Sequence, residues 1–228
     1  MHPSATYPSI AAIGQALVIS CQAPASSPLH DANIIAAIAQ AAVQQGAAGV
    51  RIDSPEHILA VRQRVTVPII GLWKQTLPGS EVYITPQYHH GAAVAKAGAD
   101  IIAIDATQRP RPGGERLADI IGRIHAELRR PVMADIDTAE AAVAAMAAGA
   151  DLVGTTLYGY TTATAAQRPP GLDLLKQLVD LDIPVICEGG IASPEVARRA
   201  MELGAHTVVV GTAITGIDAL AAAYVAAL

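Results

Sequence analysis

The stretch KAGADIIAID, residues 96–105, shows how this chain is built. An alanine-rich helical segment ends at a glycine, which readily takes the left-handed conformation that stops a helix, and isoleucines that favour strand follow at once. Three further passages repeat this helix-to-strand junction: QQGAAGVRID (44–53), AAGADLVGTT (147–156) and ELGAHTVVVG (202–211). The recurrence indicates a fold made of repeated helix–strand units.

A second type of junction alternates with the first, and in it a proline precedes the strand. It occurs in VPIIG (67–71), RPVMAD (130–135) and IPVICEG (183–189). Proline suits the first position of a strand, where the loss of its N–H does little harm. Together with ALVIS near the start, the two junctions predict strands over residues 16–20, 49–52, 69–71, 101–105, 132–135, 152–155, 185–188 and 207–210.

Helical patterns fill the spaces between these strands, at residues 31–45, 55–65, 91–97, 116–128, 138–148, 172–181, 194–202 and 219–228. The strands are continuous apolar runs, as expected when both faces of a sheet are covered. Eight successive βα units predict an α/β fold, the closed (β/α)8 or TIM barrel. We expect a single domain over residues 1–228 with a short N-terminal extension, about 1–14. An open doubly wound sheet is the alternative, and the lack of a GxGxxG turn after the first strand disfavours it.

The composition excludes several classes of protein. Hydrophobic residues make up 52% of the 228 residues and charged residues 15%, which suits many buried strands. A formal net charge of -5 gives no general attraction to nucleic acid or to an anionic membrane. No apolar run is long enough to span a membrane, and the first residues lack the pattern of a signal peptide. We therefore expect neither nucleic acid nor membrane as a partner.

The cysteine content points to a reducing compartment. Cys21 and Cys187 are too few for a disulfide framework or a zinc site, which fits a cytoplasmic protein. We expect both to pack as small hydrophobes near strand ends. Of the other metal-binding side chains, His89 and His90 are adjacent, so we expect them to point apart, a poor geometry for a metal. No metal site is predicted.

Polar side chains follow the predicted strands at their carboxyl ends, where barrels of this type carry their chemistry. Lys74 and Glu188 are the strongest candidates, because each closes an apolar run (IIGLW and PVIC) that offers no solvent-facing position. An unpaired buried charge is costly, so a charge at such a place indicates a function. The other polar candidates at strand ends are Ser20, Gln22, Arg51, Asp53, Asp105, Thr107, Asp135, Thr155 and Tyr158.

Glycines mark the ends of the last two strands. Gly189-Gly190 leads into a helix that begins with Ser193 as N-cap and Pro194 in its first turn, and Gly211-Thr212 follows the eighth strand. Barrels frequently bind phosphate with these two loops, through backbone N–H groups and a helix N-terminus. We therefore predict a phosphate site at Gly189, Gly190, Gly211 and Thr212. The long polar stretch TTATAAQRPPG (161–171) after the sixth strand is either a lid or a plain connector.

A lysine and a glutamate beside a phosphate site suit proton transfer at a carbon next to a carbonyl group. Lysine acts as a base only when burial or nearby cations lower its pKa, and the apolar approach IIGLW is expected to bury Lys74. The same amine could instead form a Schiff base with a sugar carbonyl. The residues alone leave both chemistries open.

The sequence resembles the N-acetylmannosamine-6-phosphate 2-epimerases nearly from end to end. The resemblance is carried by LVISCQAP (17–24), PLHD (28–31), AAGVRID (47–53), VPIIGLWKQ (67–75), VYITP (82–86), AGADIIAIDAT (97–107), RPRP (109–112), MADIDT (133–138), DLVGTTLYGYT (151–161), PVICEGGIASPE (184–195) and GAHTVVVGTAIT (204–215). The blocks SCQAP and GTTLYGYT, and the pairing of GLWK with CEGG, are specific together.

The resemblance implies a barrel that interconverts N-acetylmannosamine 6-phosphate and N-acetylglucosamine 6-phosphate in sialic acid breakdown, without any cofactor. It implies that Lys74 is the acid and base at C2 and that Glu188 is a second catalytic carboxylate. It also implies that the Gly190 and Gly211 loops hold the phosphate and that the protein forms a homodimer, for which the alanine-rich last helix could supply a contact. The implied substrate-binding residues are Gln22, Arg51 and Asp135, with Thr155 and Tyr158 beside them.

Two positions depart from the family pattern. Members often carry an arginine after the AIT block, where this chain has Gly216, and a Gly-Arg pair where it has Gly189-Gly190. Both changes remove cations near the expected phosphate, so Arg51, Arg168 or a partner subunit is expected to compensate. Two other functions are considered: a Schiff-base lyase on a phosphorylated sugar, and a non-catalytic phosphosugar sensor. The presence of both Lys74 and Glu188 disfavours the sensor.

Overall fold

The computed structural model describes residues 7–228 and contains a closed barrel of parallel strands, in which each strand pairs with the next and the last pairs with the first. The strands are β1 (Leu17–Cys21), β2 (Gly49–Asp53), β3 (Ile69–Leu72), β4 (Ile101–Asp105), β5 (Val132–Asp135), β6 (Leu152–Gly154), β7 (Val185–Glu188) and β8 (Thr207–Val210). The predicted (β/α)8 barrel is confirmed, and the open sheet is excluded.

Helices separate the strands, close to the predicted bounds. They are α1 (Pro8–Ile13), α2 (Ala32–Gln44), α3 (Pro55–Arg62), α4 (Tyr88–Lys96), α5 (Leu117–Arg123), α6 (Ala139–Ala147), α7 (Leu172–Asp180), α8 (Pro194–Glu202), α9 (Thr212–Thr215) and α10 (Ile217–Ala226). A π-helical turn, Ile124–Leu128, continues α5. The sequence patterns did not predict α1 or α9.

The amino-terminal end of the barrel is plugged by α1. Ile10 and Ile13 of this helix are fully buried and join the apolar side chains that fill the barrel interior. The helix is held by the first residue of β8 and the residue before it: His206 bonds to the Ile10 carbonyl at 3.1 Å, and the Thr207 hydroxyl bonds to the Ile13 carbonyl. The part of the predicted extension that the structure describes is therefore a structural plug, and residues 1–6 lie outside the described chain.

The outer layer packs small side chains closely against the strands. A Cβ atom at Gly71 of β3 would lie 2.5 Å from the Cβ of Ala99 and 2.7 Å from a methyl group of Val94, so only glycine fits there. Both cysteines are free and buried, as expected, and burial raises the pKa of Cys21 to about 12 and that of Cys187 to about 11. Neither thiol is available as a nucleophile near neutral pH.

The last helix stands apart from this packing. None of the residues of α10 is buried, although its sequence is mostly apolar. Ile217, Tyr224 and Val225 are 56%, 76% and 75% exposed. None of the helices within residues 7–228 combines the length and the apolar character that crossing a membrane requires.

Candidate active site

Lys74 is fixed at the mouth of the barrel by its backbone and its amine. Its N–H donates to the carboxylate of Asp53, at the end of β2, over 2.9 Å, and a short antiparallel bridge joins it to Ile84. Its Nζ donates to Oε1 of Gln22 over 2.5 Å and lies 4.0 Å from the Asp53 carboxylate. These contacts aim the amine across the ends of β1 and β2.

The expectation that the IIGLW run buries Lys74 is wrong. Strand β3 ends two residues earlier, at Leu72, and the lysine side chain reaches the open mouth, where it is 45% exposed. The apolar run therefore buries the strand that precedes the lysine but leaves the amine in contact with solvent.

Glu188 faces a buried arginine. Arg51 of β2 is 1% exposed, donates to both carboxylate oxygens of Asp135 over 3.0 and 2.8 Å, and lies 2.9 Å from Oε2 of Glu188. Burial acts to lower the pKa of Arg51, but the two carboxylates raise it, so the guanidinium stays charged. A buried cation is tolerated only when it is paired in this way.

The protonation of Glu188 is balanced near neutrality. Burial raises its pKa to about 7, Arg51 and Lys74 act to lower it, and the negative charge of Asp135 acts to raise it. Lys74 follows β3 and Glu188 ends β7, so the two residues lie at the same end of the barrel. A carboxyl group with a pKa near 7 can both give and take a proton at the working pH.

Two neighbouring threonines, Thr155 and Thr156, bond to different parts of this site. The Thr155 hydroxyl bonds to the backbone carbonyl and N–H of Glu188 at 2.9 and 3.0 Å, so it holds the end of β7. The Thr156 hydroxyl donates to Asp135 over 2.6 Å and lies 3.3 Å from the Glu188 carboxylate. Thr155 was the expected substrate contact, whereas Thr156, which sequence reasoning missed, is the one that reaches the carboxylates.

Of the remaining predicted sugar contacts, Gln22 bonds to the Lys74 amine, and Tyr158 belongs to the loop after β6. The Gln22 amide accepts from Lys74 and donates to the Ser20 hydroxyl over 3.0 Å. The Tyr158 hydroxyl instead donates to Gln167 over 3.1 Å, within the loop after β6.

The loop after β7 has no room for a side chain at Gly190. This residue has φ +68°, and a Cβ there would lie 2.6 Å from the carbonyl carbon and from the Cβ of Pro169. Pro169 fills the space that a side chain on residue 190 would need. Beyond the glycines, the Ser193 hydroxyl accepts from the N–H of Val196 and begins α8 as predicted.

The long loop after β6 is tied to the rim of the barrel. Thr161 is buried and donates to the carboxylate of Asp137 over 2.6 Å, and Thr164 lies beside it at 3.1 Å. Of the two alternatives for this stretch, these bonds favour a fixed connector over a free lid.

Of the two cations that were expected to compensate for the missing arginines, Arg51 is already committed to Asp135 and Glu188. Arg168 is exposed, precedes the proline that packs on Gly190, and forms no ion pair with any residue from 7 to 228. It is therefore free to meet an anion at that loop.

One expectation about histidines is corrected by the structure. The rings of His89 and His90 lie 3.8 Å apart, because the two adjacent side chains in the first turn of α4 lean toward each other, and His90 also packs edge-on against Trp73 at 5.3 Å. No group of three or more His, Cys, Asp or Glu side chains in the described part of the chain could hold a metal ion.

Comparison with known proteins adds the family. The family model described as "Putative N-acetylmannosamine-6-phosphate epimerase" matches residues 35–228. A curated protein of Synechococcus elongatus, named "Putative N-acetylmannosamine-6-phosphate 2-epimerase", is 63% identical over 215 residues, covering 93% of each chain. A relative of the same name from Enterobacter sp. strain 638 is 45% identical over 218 residues, covering 93% of this chain and 92% of the relative.

Solved structures agree with the sequence comparison. The N-acetylmannosamine-6-phosphate 2-epimerase from Clostridium perfringens superimposes with a TM-score of 0.92 at 39% identity, and the match covers 96% of both chains. The thiamine phosphate pyrophosphorylase from Pyrococcus furiosus, with a TM-score of 0.60 at 18% identity, shares the fold alone. The barrel and these matches lead to one conclusion: the chain belongs to the N-acetylmannosamine-6-phosphate epimerase family.

Proposed function

We propose that this protein interconverts N-acetylmannosamine 6-phosphate and N-acetylglucosamine 6-phosphate by moving the proton at C2, as a step in sialic acid breakdown. The observation that carries the proposal is that Lys74, just after β3, and Glu188, the last residue of β7, both lie at the carboxyl-terminal end of the barrel. The 63% identity to a relative named for this reaction supports the same substrate.

The chemistry follows from the open-chain sugar. Its C2 lies next to the C1 aldehyde, so loss of the C2 proton gives an enolate that the carbonyl stabilises. Return of a proton to the opposite face inverts C2, and no electron leaves or enters the sugar. The reaction therefore needs an acid and a base, a donor for the enolate oxygen and a grip on the phosphate, but no cofactor.

Lys74 is the proposed base and acid at C2. Its amine is partly exposed at the mouth of the barrel, so a bound sugar can displace water from it and contact it directly. Gln22 and Asp53 orient the amine by their contacts with its Nζ and its backbone. Precise orientation of a reacting group lowers the activation free energy by roughly 7 to 11 kcal/mol in favourable cases.

Glu188 is the proposed second catalytic group. Its pKa of about 7 allows it to exchange a proton with the sugar as the charge on C2 and its oxygen changes. Arg51 and Asp135 were predicted as sugar contacts, but their bonds are already made to each other and to Glu188. We infer that these two residues position Glu188 and hold its charge.

The phosphate is proposed to bind at the glycine loops after β7 and β8. Gly189 and Gly190 have positive φ and precede the N-terminus of α8, where backbone N–H groups attract an anion. Gly211 and Thr212 begin the turn after β8. Neutral amides of this kind explain how a protein with a formal net charge of -5 holds an anionic sugar.

The test is turnover of the proposed substrate. Purified protein is incubated with N-acetylmannosamine 6-phosphate, and ¹H NMR follows the appearance of N-acetylglucosamine 6-phosphate in the absence of added cofactor or metal. Formation of the second sugar supports the proposal, and binding without turnover would instead favour a phosphosugar sensor. Borohydride treatment during turnover tests the Schiff-base alternative, because it would attach the sugar covalently to Lys74 if an imine forms.

We further propose that the protein acts as a homodimer in the cytoplasm. The apolar side chains of α10 that remain exposed, with Tyr224 at 76% and Val225 at 75%, favour a partner surface on the last helix. The equivalent helix of a second copy has the matching composition. The two free, buried cysteines fit a reducing compartment.

A further inference from the structure

Tyr83 is tied to the backbone on both sides of Lys74. It lies in a segment that returns antiparallel to the end of β3, where the N–H of Gln75 donates to the Tyr83 carbonyl over 2.8 Å. Two residues along, the N–H of Thr85 donates to the Trp73 carbonyl, also over 2.8 Å. The backbone of Tyr83 is therefore fixed by main-chain bonds beside the backbone of Lys74.

The ring of Tyr83 packs against the apolar interior of the barrel. It is half-buried and packs on the apolar cluster that fills the barrel interior, as Tyr7 does at the opposite, amino-terminal end. Its phenol is close enough to Asp135 and Asp105 for their charges to raise its pKa, and to Arg51 for that charge to lower it. Because its backbone is bonded to the segment that follows β3, Tyr83 lies at the carboxyl-terminal end of the barrel, where β2, β4 and β5 also end.

These neighbours do not use the Tyr83 hydroxyl. The carboxylate of Asp105 is bonded to Thr107 at 2.7 Å and to Arg109 at 2.8 Å, and that of Asp135 is bonded to Arg51 and Thr156. Within residues 7–228 the Tyr83 hydroxyl makes no hydrogen bond, and it is not among the unpaired polar atoms that are closed off from solvent. The Tyr83 hydroxyl is therefore available to donate a hydrogen bond, whereas the carboxylates of Asp105 and Asp135 are already bonded.

The charge state of this donor is also fixed. Burial raises the pKa of the Tyr83 phenol above its ordinary value of 10.0, with Asp135 and Asp105 adding to the effect. The hydroxyl keeps its proton throughout the neutral range and can donate it in a hydrogen bond at every pH at which the protein works.

Deprotonation at C2 places negative charge on the oxygen at C1, and that oxygen needs a donor. Arg51 is the obvious cation, but both of its terminal nitrogens are bonded to carboxylates. We propose that the Tyr83 hydroxyl donates a hydrogen bond to the C1 oxygen of the open-chain sugar and stabilises the enolate. The inference rests on the proposed epimerase function and adds to it the group that receives the developing charge.

The test is Tyr83→Phe, which removes the hydroxyl and keeps the ring that packs on the barrel interior. Because the bond strengthens as the enolate forms, we expect kcat to fall roughly ten- to a hundredfold with little change in KM. Exchange of solvent deuterium into C2 should slow by the same factor. Tyr7→Phe is the matched control, since it removes a phenol hydroxyl from the other end of the same apolar cluster.

The outcomes separate this inference from the function on which it rests. If the wild-type protein turns over the sugar phosphate and Tyr83→Phe matches Tyr7→Phe in kcat, the enolate contact is wrong while the epimerase function stands. If Tyr83→Phe raises KM alone, the hydroxyl binds the sugar without stabilising the enolate, and the proposal is likewise overturned. If the wild-type protein lacks turnover, the epimerase function itself fails. Thermal melts of both variants check that the fold is kept.

Discussion

Glu188 is a carboxyl group whose surroundings pull its pKa in both directions. Burial favours the neutral acid, whereas the buried Arg51 favours the carboxylate, and burial has the larger effect. The result, a pKa of about 7, differs from the ordinary carboxyl value of 4.5 by enough to make the stability of the fold depend on pH.

The sign of that dependence gives a prediction. Because the folded pKa of Glu188 lies above the unfolded one, its contribution to stability is complete below pH 4.5 and is lost as pH rises through about 7. The side chain of Glu188→Gln cannot ionise. We therefore expect its melting temperature, compared with that of the wild type at the same pH, to be higher at pH 8 than at pH 5. This gain corresponds to a change in the free energy of unfolding of the order of 3 kcal/mol.

Differential scanning calorimetry at the two pH values measures this gain. Glu81→Gln is the control, because Glu81 is exposed on the segment before β4 and has no such burial. An equal offset for both variants at pH 5 and pH 8 would show that Glu188 ionises normally in the folded protein.

The sequence predicts which polar residues stand at the strand ends better than it predicts the directions of their side chains. Lys74 and Glu188 are candidates because a charge after an apolar strand in a barrel has few structural uses. The turn after β6 decides that Thr156, and not Thr155, faces the carboxylates, and no local pattern distinguishes two adjacent threonines. The exposure of Lys74 was missed because it depends on how far the lysine projects beyond β3.

At the scale of the elements, the loops after β6 and β7 form one unit. Pro169 packs on Gly190, and the space for a side chain is closed by backbone as well as by the proline ring. In the sequence, Gly190 stands where an arginine is expected. In the structure, the absence of a side chain at Gly190 allows the loop after β6 to approach.

This packing predicts a large cost for Gly190→Ala. Its Cβ would lie 2.6 Å from the Pro169 carbonyl carbon, in addition to the strain of φ +68°. Gly114→Ala is the control, because Gly114 has φ +69° but nothing within 4 Å of the added Cβ. We expect Gly190→Ala to lower the free energy of unfolding by about 1 to 3 kcal/mol more than Gly114→Ala, measured by urea denaturation. Equal losses would mean that the loops do not touch in solution.

The short helices were the elements that the sequence could not predict. With 6 residues in α1 and 4 in α9, neither is long enough to show an apolar period. Their positions are set by tertiary contacts, such as the burial of Ile10 and Ile13 in the barrel and the bond from the Thr215 hydroxyl to the Ser20 carbonyl at 2.7 Å. Such contacts leave no periodic signal in the sequence.

At the scale of the whole molecule, the barrel was predictable because its two junction types repeat along the chain. The repeat predicts the order of strands and helices. Because it gives eight βα units, a closed barrel is the favoured topology. What the repeat does not report is where the last helix goes. In the structure α10 buries none of its residues against the barrel.

The proposed homodimer predicts that charge on α10 separates the subunits. Val225 is apolar and 75% exposed in the single chain, so the proposed dimer would cover it. We expect Val225→Glu to shift the protein toward the monomer, because the dimer contact would then bury a carboxylate. Val143→Glu on α6, where the valine is 51% exposed, is the control. Analytical ultracentrifugation measures the masses. A wild-type protein that sediments as a monomer at all concentrations would contradict the dimer.

The central claim for the molecule is that the Lys74 amine removes and returns the proton at C2. Its most direct test is exchange of solvent deuterium into C2 of N-acetylmannosamine 6-phosphate, followed by NMR for the wild type, Lys74→Ala and the control Lys176→Ala on the exposed face of α7. We predict exchange in the wild type and the control, and loss of at least about a thousandfold in Lys74→Ala with an unchanged circular dichroism spectrum. Exchange that persists in folded Lys74→Ala at the wild-type rate would contradict the assignment of this amine as the acid and base.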